Sequence, residues 1–236
     1  MSKVKYQFIE NEDELRFKIN TLDKVANEYL MKIEDLYMED LFFMSVIDKS
    51  IKLIDTFLFA LDRRNITILA TLTRVQMDCV MRAFAGTMVS DSGDFCKAVL
   101  VENVPINKLK DTNNQKLTDK HLCEAVGKYL NLPVYDLYKK VCGFVHFSSA
   151  SFHNIAKAGE NCDMTMFISR ENRKDDKQEF ERLSLELANQ FFFFGSLLIE
   201  ELFASWLEQK SHKTDKFSFI YTTHMKIYSL AVSLYD

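Results

Sequence analysis

The sequence predicts an all-α protein, a single bundle of long helices with a minor β-hairpin. Three observations lead there. Apolar residues recur at helical spacing over most of the chain. Only six glycines and two prolines occur in 236 residues, too few for the many turns of a β-sandwich or a Rossmann-type sheet. Apolar residues make up 47% and charged residues 27%, enough for a substantial core and too apolar for disorder.

The elements follow in order. Asn11 to Asp13 can cap a first helix, and Leu15, Ile19, Leu22, Val25, Ala26, Tyr29, Ile33 and Leu36 continue its apolar stripe. With Leu41, Phe42 and Val46 added, the pattern predicts one very long helix or two joined by a slight break. A helix over Asp48 to Asp62 follows, ended by "DRRN". The helix over Ile66 to Met88 is apolar nearly all round, as a central helix is. A shorter helix covers Ser92 to Val101. The stretch "VENVPINKLKDTNNQKLTDK" is the longest connection, because Pro105 and the polar run Asp111 to Lys116 resist regular structure. Thr118 starts the next helix, "NLP" stops it, and another begins at Val134. "CDMTMFISR" alternates like a short strand, to be paired near His153. The last strong helix spans Gln178 to Gln209, with "FFFFGSLLIEELFASWL" at its centre as core or dimer interface. The organisation expected is one domain over 1–236: a long N-terminal helical segment over 1–47, a core bundle over 48–209 and a C-terminal segment over 210–236.

Composition also narrows the function. A net charge of −4 argues against broad, nonspecific attraction to nucleic acid or to an anionic membrane. Cys79, Cys96, Cys123, Cys142 and Cys162 show no CxxC spacing, which predicts reduced thiols in a cytoplasmic protein and no zinc knuckle. The longest apolar run is interrupted by Glu200 and Glu201, short of the roughly 20 residues of a membrane span. One of these two glutamates should face solvent and the other should answer an arginine. No HExxH, Walker A or GxGxxG motif occurs, so no metal and no other cofactor is expected.

Two constellations stand out. Arg74, Asp78 and Arg82 lie at i, i+4 and i+8 on the central helix, so they share one face, and Asp78 can pair with either arginine. Such a row is a salt-bridge ladder or the wall of an anion-binding cleft. In "VYDLYKKVCGFVHFSSASFHN", Tyr138, Cys142 and His146 form a second row at the same spacing, with Lys140 beside it and Ser148 and His153 after it. An imidazole titrates near working pH, so His146 can act as general acid or base, or it can simply end a helix.

The segment "KKVCGFVH" resembles the motif of the HEPN-type helical-bundle proteins of bacterial defence and toxin systems, an arginine followed within a few residues by histidine. Here Lys140 stands where the family has arginine, five residues intervene, and His146 follows. "TRVQMDCVMR" with "LYKKVCGFVHFS" also resembles helical bacterial proteins that carry a Tyr-x(7)-His-x-Ser stretch, here Tyr138, His146 and Ser148. The first resemblance implies a compact bundle that dimerises and a metal-independent endoribonuclease, or a degenerate relative of one. His146 and Lys140 would then be catalytic. Arg74, Asp78, Arg82, Tyr138, Ser148 and His153 would bind the substrate or an anion. The partners expected are RNA or a nucleotide, a second copy of the chain, and a further protein, with no membrane. The alternatives are a non-catalytic helical interaction protein and a small-anion or nucleotide sensor with an arginine-lined cleft.

Overall fold

A computed structural model of the chain describes residues 5–33, 36–146, 156–158, 164–166 and 177–211. It is a helical bundle whose apolar side chains, from Ile9 to Trp206, form one continuous core.

The N-terminal stretch is three helices in place of one or two. Helix α1 (Glu12–Asn20) starts where the Asn11 side chain accepts the Glu14 N–H at 3.0 Å, beneath an acidic first turn. It stops where the Thr21 hydroxyl donates to the Lys18 carbonyl at 3.0 Å, and α2 (Leu22–Leu30) follows. Helix α3 (Met38–Ile51) starts after Tyr37, whose N–H donates to the carboxylate of Asp40 in the first turn at 2.7 Å. It runs through position 48, so the expected cut between 47 and 48 falls inside a helix. The helix expected over Asp48 to Asp62 is therefore divided: after a turn at Lys52 and Leu53, α4 is Ile54–Asp62. Arg16 and Arg64 both reach Glu12, at 2.8 and 2.6 Å, which fastens α1 to the end of α4.

Helix α5 (Ile66–Ala85), capped by the Asn65 side chain on the Ile68 N–H, is the hub of the bundle. It packs against α3, α4, α7, α8 and α9. Helix α6 (Ser92–Leu100) is capped by Asp91. The long connection carries a 3₁₀ turn at Ile106–Lys108 and a bridge between Lys110 and Lys116. Helix α7 (Asp119–Leu130) starts at Thr118 and ends at Asn131, which takes left-handed φ 56°. That turn requires Gly127. The Leu132 N–H donates to the Gly127 carbonyl, and a β-carbon on Gly127 would lie 2.8 Å from the Leu132 carbonyl oxygen. Gly127→Ala is expected to lower stability by about 1–3 kcal/mol through this clash with backbone, read as a lower urea midpoint at unchanged slope.

Helix α8 (Val134–Val145) follows Pro133. Strands β1 (Ala156–Ala158) and β2 (Met164–Met166) pair antiparallel, with Ala156 opposite Met166. Helix α9 (Lys177–Ser196) passes through a π-helical segment, Leu197–Phe203, into α10 (Ala204–Ser211). Lys177–Gln209 is long and apolar enough to cross a membrane by length and composition, but 83% of its most apolar window is buried in the bundle. Phe191, Phe193 and Phe194 lie inside this core, so most of the phenylalanine run is core within one chain. Gly195 lets α9 close on its neighbours, since a β-carbon there would sit 2.7 Å from Leu22 and 2.9 Å from Gln76. Much of the C-terminal segment, 212–236, lies outside the described residues.

Candidate functional site

The arginine row of α5 and the tyrosine–cysteine row of α8 meet. Arg74 is the joint. Its Nη1 pairs with Asp78 one turn on, its Nε donates to Cys142 Sγ at 3.1 Å, and its guanidinium lies 4.4 Å from the centre of the Tyr138 ring. A cation over an aromatic face adds to the packing.

Asp119, the first residue of α7, binds both rows. Its Oδ1 accepts from Arg82 Nη2 at 3.0 Å, and its Oδ2 accepts the Tyr138 hydroxyl at 3.0 Å and lies 3.7 Å from Arg74 Nη2. Spacing along one helix could not identify this residue. The only signal for it was its place directly after the Thr118 cap, where an acid also suits the helix dipole.

The network sums to zero charge: two guanidinium groups against two carboxylates. Burial, with the nearby charge of Asp119, raises the Asp78 pKa against the lowering pull of Arg74 and Arg82. Burial opposes the charge on Arg74, but Asp78 and Tyr138 outweigh it, so the Arg74 pKa stands above its ordinary value. Burial, then the charge of Asp78, drives the Tyr138 phenol well upward, so it stays a neutral donor. Two buried atoms, Asp78 Oδ1 and Arg82 Nη1, have no hydrogen-bond partner among the described residues.

Along α8, the contacts of Arg74 reach Tyr138 and Cys142. His146 lies one turn further, as the C-cap of α8; its N–H donates to the Cys142 carbonyl at 2.9 Å and the residue is exposed. Lys140 is drawn to a different neighbour, with Nζ 2.5 Å from Glu186 of α9, a carboxylate it shares with Arg182. Arg74, Asp78, Arg82 and Tyr138 are therefore one cluster, and Lys140 belongs to another. Ser148 and His153 lie outside the described residues.

One further polar centre, at Asp111 and His121, had no reading in the sequence. Asp111 accepts the N–H groups of Asn113 and Gln115 and meets His121 Nε2 at 2.9 Å. The Gln115 N–H, ahead of His121, holds this carboxyl below the usual range. Of the paired glutamates, Glu200 is exposed, and Glu201 is buried and accepts the Tyr129 hydroxyl at 2.6 Å. Burial and this carboxylate push the Tyr129 phenol up to about 12.

Cys79, Cys96 and Cys123 are buried free thiols, with burial pushing Cys79 up to about 11 and Cys123 to about 12. Such thiols stay protonated and unreactive. Cys162 lies outside the described residues. Among those residues, no three His, Cys, Asp or Glu side chains are grouped to hold a metal ion. A surface pocket of about 450 Å³ sits at the α7–α8 turn, and none of the residues predicted for the site lines it. In comparisons with known proteins, no family model, no curated protein and no solved structure matches the chain.

Proposed function

We propose that the chain is a non-catalytic helical interaction protein, in which the arginine row is a structural clasp. One observation carries this reading: the cations a phosphate would need are already matched by carboxylates. Arg74 is held by Asp78, Arg82 by Asp119 and Lys140 by Glu186. A preorganised oxyanion site keeps its donors aimed at charge that develops in the reaction. Here, an incoming anion would compete with fixed carboxylates in a network of zero net charge. Exposed aromatic rings at Phe17 and Phe59, on the packed helices α1 and α4, offer apolar surface to a protein partner.

The competing reading is a metal-independent ribonuclease with His146 as acid or base. The two separate in one assay. Full-length protein is incubated with single-stranded RNA in EDTA, beside His146→Ala. The result expected is the same background degradation for both. Cleavage that disappears in His146→Ala, with far-UV circular dichroism and melting temperature unchanged, would overturn the non-catalytic reading.

A further inference from the structure

The π-helical segment Leu197–Phe203 interrupts what is otherwise one helix from Lys177 to Ser211. Hydrogen bonds in the i→i+5 register have poorer geometry than α-helical ones, and such turns are rare. Something outside the helix must therefore hold it.

Two side-chain hydrogen bonds do so, one part-buried and one buried, and both come from distant parts of the chain. Within the segment, Glu201, 4% exposed, accepts from the Tyr129 hydroxyl of α7. Beyond it, Trp206 Nε1 donates at 2.8 Å to Asp40 of α3, a carboxylate with no exposure. The indole also stacks on Phe43, with ring centres 5.7 Å apart, and Phe43 in turn meets Phe203.

A π turn holds one residue more than an α turn. If the segment closed to α geometry, everything past it would rotate by about 100°, the turn of one residue. Glu201 and Trp206 cannot then both keep their partners.

We propose that Leu197–Phe203 is a register lock, held in the π form by the Tyr129–Glu201 hydrogen bond. When that bond is lost, the segment slips to the α register, Ala204–Ser211 turns about its axis, and the indole of Trp206 leaves Asp40. The lock couples α7 to the end of the long C-terminal helix through the Tyr129–Glu201 hydrogen bond.

The chain has one tryptophan, so its fluorescence reports this residue alone. Tyr129→Phe in the full chain should shift the emission to the red and raise acrylamide quenching several-fold, with far-UV circular dichroism retained. Deleting the exposed Glu200 removes the extra residue itself. The shortened helix then reaches Trp206 in α register with the same facing, so native emission is expected. Adding Tyr129→Phe to the deletion should produce no further shift, which separates a slip of register from general loosening. Native emission in Tyr129→Phe alone overturns the proposal. Should that variant fail to fold, the deletion decides: a folded protein with native emission supports the lock, and unfolding or an exposed indole overturns it.

Discussion

Arg74→Ala is expected to lower the stability of the protein by about 2–4 kcal/mol, a range set by breaking a largely buried ion pair. The side chains of Arg74 and Asp78 are 20% and 18% exposed, so the pair is shielded from water but not sealed. Removing the arginine leaves the Asp78 carboxylate without its direct partner, takes the cation from the Tyr138 ring and frees the Cys142 thiol. Urea denaturation followed by circular dichroism measures the loss. Its pH dependence distinguishes the cause. Burial already raises the Asp78 pKa, and the loss of Arg74 raises it further. A carboxyl raised in the folded state costs stability when ionised and regains it as pH falls through that raised value. The deficit of Arg74→Ala relative to the parent should therefore narrow toward acid pH. A deficit independent of pH would mean that lost packing, rather than the unpaired charge, is responsible. Arg74→Met with Asp78→Leu should recover most of the loss, because replacing both partners by apolar groups leaves neither of them as an unpaired buried charge, while Arg82 keeps Asp119.

Phe191→Ala should cost about 3–5 kcal/mol, the usual range for truncating a fully buried aromatic ring. Phe191 stacks on Phe57 with ring centres 3.9 Å apart, and neither ring has any exposure. Helix α9 cannot collapse into the space that is left, because Gly195 already brings it against Leu22 and Gln76. For a chain of this size such a loss lowers the melting temperature by roughly 6–20 °C, which calorimetry would show directly. Phe59→Ala provides the contrast. Its ring is 62% exposed, and the change should stay within about 0.5 kcal/mol.

The helical fold was legible because its signals are local. Asn11, Asn65 and Thr118 each accept the N–H three residues on, as residues of these types at helix starts do. Ile66–Ala85 is the hub that its nearly continuous apolar surface implied. The row Arg74, Asp78 and Arg82 was equally readable, since i, i+4 spacing puts side chains on one face whatever surrounds the helix.

The partners were not readable. Arg82 is bound to Asp119 rather than Asp78, Lys140 to Glu186, and Glu201 to Tyr129. Each of these contacts joins two helices and depends on how both are rotated and set along their axes. Periodicity carries no information about that relation. The same limit explains the N-terminal stretch. Its apolar stripe runs on from Leu15 to Val46, while a Thr21 hydroxyl on one carbonyl and an Asp40 carboxylate on one N–H divide it into three helices.

What the amino-acid sequence determined by itself is the class of fold, where most helices begin, and which charged residues share a face. What only the tertiary structure decided is that Arg82 and Lys140 are matched by carboxylates of other helices, and that Leu197–Phe203 is π rather than α. Helical spacing is a property of one segment, whereas charge matching and register are properties of two segments in contact.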